Sequence, residues 1–297
     1  MTKIPKLLAI LVALTLPAFS SLYAQDDVKI SADRVVDNIY MLTGNGGNIG
    51  LFIGEDGSFV IDDQFAPFTD KILAAIKSVG GDTPRFLINT HFHGDHTGGN
   101  ENLGKKGSLI VSHENVRQRL VDGSFIKAFG MKSAPASKAA LPVMTFSEEL
   151  HFHINGDTVN AIHVPNAHTD GDSIIQFEAA NVVHAGDVFF NGFYPFIDAD
   201  HGGSLRGTID AADAILGITN STSKIIPGHG PLGDKAQLQA YRDMLQIAYS
   251  RLLKLKNEGI SAEDAVSKKP LADLEAKWGN GIFTGDKWIG IVYPGVN

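Results

Sequence analysis

The sequence contains no cysteine in its 297 residues. That excludes disulfides, a thiolate nucleophile, a thiolate metal ligand and a cysteine-linked lipid anchor. Tryptophan is scarce, at two residues, and no stretch beyond the N-terminus reaches the ~18 apolar residues of a membrane span. Positive charge is also short, with 25 Lys and Arg against 33 Asp and Glu. Such a surface repels phosphate backbones and anionic lipid, which argues against nucleic-acid and membrane partners and leaves a small-molecule substrate. No Gly-x-Ser-x-Gly elbow is present, and no Gly-Lys-Ser/Thr follows the glycine-rich Gly44-Asn45-Gly46-Gly47. That stretch is a turn and a candidate pocket rim. Chemistry must come from His, Asp, Ser, Lys or a bound metal.

The N-terminus is a separate unit. Lys3 and Lys6 precede the apolar run Leu7 to Phe19, and Leu22-Tyr23-Ala24 offers a small residue before a cut at Gln25. Residues 1–24 read as a secretory signal peptide, with a retained anchor as the alternative. Cleavage leaves 23 basic residues against 33 acidic ones, a net charge of −10. The expected location is the periplasm, with no stable membrane association after cleavage. Oligomeric state is not legible in the sequence.

What the chain does have is a concentrated histidine loop. Thr90-His91-Phe92-His93-Gly94-Asp95-His96 puts three of its 11 histidines and a carboxylate into six positions. The apolar run 85–89 before it reads as a buried strand. Neutral imidazole and carboxylate are ligands for zinc and its first-row neighbours. His91 and His93, two apart on extended backbone, point the same way, and Gly94 offers a sharp turn toward Asp95 and His96. Four groups from one loop cannot close two metal sites. Candidates for the remainder follow later predicted strands: His168, Asp187 and His229.

The pattern around these residues is strands first and helix afterwards, twice over. Residues 48–53 and 58–62 form a hairpin about Glu55-Asp56-Gly57, and a helix opens near Thr69. Residues 122–143 lack pattern and read as a mobile excursion over the site. Asn155-Gly156 then turns one strand into the next, Ser204 to Leu216 and Asp234 to Asn257 are helical, and 260–297 holds one or two short helices with aromatics. Two sheets packed face to face with helices outside satisfy this order, in one α+β domain over residues 25–260 with the tail 261–297 packed on it.

The series His91-x-His93-x-Asp95-His96, then His168, Asp187 and His229, resembles the metallo-β-lactamase superfamily of metallohydrolases across residues 40 to 232. The resemblance implies a four-layer αββα sandwich with two metal ions at one edge. It assigns His91, His93 and His168 to the first metal and Asp95, His96 and His229 to the second. Asp187 would bridge them, and Asp62 would steady a ligand from behind. Two dications lower the pKa of a shared water toward neutrality, and the hydroxide attacks a carbonyl or phosphoryl centre, with Asp95 orienting it or taking its proton. Two zinc ions are expected, and iron or manganese suits the same donors.

The resemblance does not choose a substrate. Dedicated zinc β-lactamases of this kind usually carry Cys or Ser where this chain has Asp187, which points to a general hydrolase of small esters, lactones or amides. Export favours the alternative, a periplasmic β-lactamase. A non-catalytic metal-binding module is the third reading, and an intact Asp95 argues against it. Phe193, Tyr194 and His201 are candidate pocket residues just beyond Asp187. His151 and His153 read as solvent-facing, His163 as packing or support, His184 as support, and His113 as a surface helix start.

Overall fold

Along the strand Gly57–Ile61 the side chains alternate, with Phe59 and Ile61 facing one apolar layer and Val60 another. Leu87 and Ile88 divide the same way on the next strand, Phe86–Asn89. A strand apolar on both faces needs cover on both, and the chain supplies it. The computed structural model describes residues 28–296; the expected signal peptide, residues 1–24, lies outside them. Among the described residues no helix is long and apolar enough to cross a membrane.

The N-terminal sheet has seven strands, in the spatial order Ser31–Val36, Ile39–Thr43, Ile49–Gly54, Gly57–Ile61, Phe86–Asn89, Leu109–His113 and Met144–Phe146. It is antiparallel up to Gly57–Ile61 and parallel from there on. The C-terminal sheet has six strands: Glu149–Ile154, Asp157–His163, Ser173–Phe177, Val182–His184, Lys224–Ile226 and Gly233–Asp234. Phe52 meets Phe177 edge-on at 5.3 Å between the sheets, and Phe59 meets Phe152 at 5.1 Å. Helix Thr69–Ser78 covers one outer face, and helices Leu205–Ile218 and Lys235–Asn257 cover the other. Four layers, αββα, enclose three apolar seams. This is the expected fold.

Local chemistry explains the boundaries. Asn155 and Gly156 both have positive φ, 51° and 79°, in the tight turn that twists with its strands. Ser204 and Asp234 cap their helices by accepting from the backbone N–H groups of Gly207 and Gln237.

Three expectations need correction. Residues 122–143 carry structure: a hairpin of Ser124–Ile126 with Met131–Ser133, too short for its periodicity to show in sequence. The tail holds three α-helices, Ala262–Ser267, Glu275–Trp278 and Gly285–Val292, instead of one or two. His113 is buried, not superficial; its ring accepts from the Asn115 N–H and stacks on His163 at 3.8 Å.

Trp288 fixes the tail to the second half. It is fully buried, stacks on Tyr194 at 4.7 Å and donates its indole N–H to Pro195 O at 2.6 Å. Trp288→Ala should lower the unfolding free energy by about 3–5 kcal/mol in a urea titration of metal-free protein, through the cavity and the orphaned carbonyl.

Candidate metal centre

The strand Phe86–Asn89 delivers Thr90 to the edge of the sandwich, and the chain then bends through Thr90–Phe92 instead of staying extended; His93 is extended again. A single helical turn, Gly94–Thr97, then brings Asp95 and His96 round. Gly94 contributes no special geometry: its conformation is helical, and nothing lies within 4 Å of an added Cβ. The sharp turn expected of it is made by the helix itself.

The second sheet supplies the rest. His168 follows the strand Asp157–His163, Asp187 sits in a 3₁₀ turn after Val182–His184, and His229 follows Lys224–Ile226. Asn48, from the first sheet, donates its side-chain N–H groups to Pro227 O and Gly230 O and so fixes the His229 loop from across the seam. Close approach sets the glycines here. A Cβ on Gly47 would lie 2.1 Å from His96 Cε1, and one on Gly228 would lie 2.0 Å from Asp187 Oδ1.

Two ligand clusters result, His91, His93, His168 with Asp187, and Asp95, His96 with His229. His93 Nδ1 lies 3.1 Å from His91 Nε2 and 2.8 Å from His168 Nε2. His229 Nε2 lies 3.2 Å from Asp95 Oδ2 and 3.4 Å from His96 Nε2. Asp187 stands between the clusters, with Oδ1 3.1 Å from His96 Nε2 and Oδ2 3.4 Å and 3.5 Å from the Nε2 atoms of His168 and His229. All the resemblance-implied ligands therefore meet at one point.

A first-row dication fits this arrangement. Ligand atoms about 2.0–2.1 Å from a common tetrahedral ion stand roughly 3.4 Å apart, near the spacings above. Asp187 Oδ1 is buried and has no hydrogen-bond partner, although His96 Nε2 stands 3.1 Å away. A buried carboxylate oxygen turned on imidazole nitrogens alone is what a cation would satisfy.

His93, His96 and His168 are held from behind, which sets which nitrogen is free. His96 Nδ1 donates to Asp62 Oδ2 at 2.7 Å, and the same carboxylate accepts the Thr90 N–H and hydroxyl at 2.8 and 2.7 Å. Asp62 has a left-handed φ of 62°, which aims it at that duty. His168 Nδ1 donates to Phe196 O at 2.8 Å, and His93 Nε2 to Asp198 Oδ2 at 2.9 Å. Asp198 went unnoticed as a support in the sequence because 105 positions separate it from His93 and no spacing rule links them.

The pocket candidates fare differently. Tyr194 is fully buried against Trp288, and Phe193, half-buried, packs against Phe190; neither lines the cavity. His201 is buried too, donating to Asp198 Oδ2 at 2.7 Å. The cavity at the metal centre, about 180 Å³, is lined instead by Phe65, Ile126, Phe129, Phe190, Phe196 and Ile282 beside the ligands, and by Met131. Sequence reasoning looked just past Asp187, where Phe190 and Phe196 do line the cleft, and to the excursion 122–143, which supplies Ile126, Phe129 and Met131. Phe65 and Ile282 it missed. His184, through its ring, contacts Asn48 O at 3.1 Å from beneath, and His151 and His153 lie on an exposed strand face.

Electrostatics divide the clusters. Burial, then the neighbouring His96, push His91 well down, and burial takes His168 to about 4. Burial also works against charge on His229, but Asp187 and Asp95 overrule it and raise this ring to about 9. Asp95, which burial would raise, is held at about 2 by His96 and His229. Metals need neutral rings. His168 is already neutral at pH 7, while His229, below its raised value, must first lose a proton. Affinity at the Asp95–His96–His229 cluster should therefore fall as pH drops from 9, about ten-fold per unit for each proton displaced, whereas His168 has no proton to displace near neutrality. Calorimetric metal titrations in buffers of different ionisation enthalpy, at pH 6 and 8, measure that proton release.

With fold and centre described, the family follows: the chain belongs to the metallo-beta-lactamase superfamily, whose profile matches residues 42–229. Among solved structures it is similar to a metallo-beta-lactamase from Pontibacter korlensis, with a TM-score of 0.60, 17% identity, and coverage of 73% of this chain and 99% of that one. It is also similar to DIM-1 metallo-beta-lactamase, with a TM-score of 0.60, 18% identity, and coverage of 75% and 100%. At such identities the likeness concerns the fold. No curated protein sequence matches the chain.

Proposed function

We propose that this protein is an exported, dinuclear, zinc-dependent hydrolase of small uncharged esters, lactones or amides. One observation carries the choice of substrate: Asp187 and both ligand clusters face a cavity that no lysine or arginine lines among the described residues. A β-lactam antibiotic carries a carboxylate beside its lactam nitrogen, and here that charge would meet aromatic walls without a cationic partner. Export rests on Lys3, Lys6 and the apolar run Leu7 to Phe19. Zinc rests on an all-nitrogen-and-oxygen donor set, which iron or manganese also accepts.

Bound dications supply Lewis acidity and bring the pKa of water near neutrality. The chain does the remainder. Asp95, ionised throughout the physiological range, borders the cavity and can hold a water by one proton, take that proton and pass it to the leaving group. Asp62 and Asp198 keep His96 and His93 in the tautomer that leaves the inner nitrogen free. Phe190 and Phe196, both buried at the cavity wall, exclude bulk water.

The test is a substrate panel on metal-quantified protein. Aryl esters and lactones should turn over, a chromogenic cephalosporin should lag by at least ~100-fold, and Asp95→Asn should lose about 10²–10⁴-fold on all of them. Cephalosporin turnover equal to that of the esters would restore the β-lactamase. No turnover at full metal loading would leave a metal-binding module.

A further inference from the structure

Two excursions from the sandwich meet above the metal centre. One is the hairpin of Ser124–Ile126 and Met131–Ser133; the other is the tail segment that carries Ile282 and Phe283. Phe129, between the hairpin strands, stacks on Phe283 at 5.9 Å and meets Phe196 edge-on at 4.9 Å. Phe196 in turn lies 5.7 Å from the ring of His93. The contact chain thus runs from the tail through the hairpin to a metal ligand. Phe129, Met131 and Ile282 are 42%, 48% and 47% exposed, so their apolar surface is unspent, and all three border the same cavity. Three large apolar side chains from two distant segments, exposed together at the mouth of one cleft, are more than scattered surface residues.

The size of the cleft narrows what it takes. About 180 Å³ is below the range of pockets that enclose a drug-sized molecule, so the cavity holds one end of a small substrate. We infer that Phe129, Met131 and Ile282 form a specificity subsite for a short apolar acyl or ring substituent next to the scissile bond. The substrate class becomes short-chain aliphatic esters or alkyl-substituted lactones. This deepens the hydrolase reading and rests on it for the bond cleaved, but the subsite itself is a binding surface and can be tested without turnover. Met131 faces the cavity while its neighbour Lys132 alternates to the other side of the strand, so the hairpin presents no charge there.

Binding is tested first, by saturation-transfer NMR on metal-free protein with hexanamide, an amide with an aliphatic tail that does not turn over without the ions. The protein should saturate its terminal methyl most strongly. The Phe129→Ser/Met131→Ser variant, and independently Ile282→Ser on the other wall, should each weaken binding at least five-fold while keeping the wild-type circular dichroism. Failure of hexanamide to bind, or equal binding by all three proteins, overturns the subsite. Hydrolysis is tested second, on metal-loaded protein with p-nitrophenyl acetate and butyrate. Each buried methylene is worth about four-fold, so kcat/KM should rise roughly 15-fold from acetate to butyrate, and the ratio should collapse toward one in both variants. A flat profile in the wild type also overturns the inference. Hexanamide bound through the hairpin with neither ester cleaved would uphold the subsite and sink the hydrolase reading.

Discussion

Asp187→Ala should strip the centre of both metals, leaving well under one equivalent where the wild type holds about two, and hydrolysis should fall by at least ~10³-fold. The reason lies in where this carboxylate stands. Its oxygens are 3.1–3.8 Å from the inner nitrogens of His91, His96, His168 and His229, so both clusters share it, whereas the Asp95 carboxylate approaches only His96 and His229. Two dications about 3.7 Å apart repel by roughly 18 kcal/mol at an effective dielectric of 20, and an anion between them is what offsets that. Alanine removes the anion and leaves the imidazoles, which cannot hold a second ion against the first. Metal analysis after dialysis, paired with ester turnover, reads both losses. His153→Ala, on the exposed face of Glu149–Ile154, serves as control and should change neither. Two metals retained in Asp187→Ala would remove the bridging role.

Asp62→Asn should have the second largest effect, through a proton rather than a ligand. The aspartate only accepts: from the Thr90 N–H, the Thr90 hydroxyl and His96 Nδ1. An asparagine tolerates the left-handed backbone at this position, so the main chain need not move. Its amide N–H₂, however, donates. Facing His96 Nδ1, it makes that nitrogen an acceptor and drives the ring proton to Nε2, the atom that points at Asp187 and His229. A protonated Nε2 has no lone pair for a metal. Affinity at the second cluster should drop about 10–100-fold while His91, His93 and His168 keep theirs. One equivalent surviving a chelator that leaves two in the wild type is the expected signature. Asp62→Ala is harsher: it leaves three buried donors unpaired and should cost about 3–5 kcal/mol of stability as well. Unchanged loading in Asp62→Asn would show that the tautomer is set elsewhere.

Much of the scaffold was legible because it obeys short-range rules. Period-two alternation around Phe59 and Leu87, the Asn155-Gly156 turn and the Ser204 and Asp234 caps are each decided by neighbours in sequence. The candidate metal ligands were legible because a His-rich loop is rare and its partners follow strand ends. The walls of the cleft were legible only in part, as an excursion over the site and a stretch past Asp187. Phe65, Phe129 and Ile282 converge from three parts of the chain, and each alone looks like an ordinary surface or core residue. Tyr194 was misplaced for the converse reason: proximity to Asp187 along the chain says nothing about which way a side chain turns, and Trp288, 94 positions on, claims it. The supports Asp198 and Asn48 are equally long-range.

The ligand set has a mechanical consequence. His91, His93, Asp95 and His96 arrive from the N-terminal sheet, whereas His168, Asp187 and His229 arrive from the C-terminal one. Any ion held by both groups is a rivet across the seam between the two sheets. Spreading the sheets at that edge then means breaking coordination bonds as well as separating Phe52 from Phe177. Loaded protein therefore gains resistance to opening that grows with free metal as RT ln(1 + [L]/Kd), about 4 kcal/mol at a thousand times Kd. With no cysteine to form a disulfide brace, this chain would take its brace across the seam from whatever ions the ligands hold.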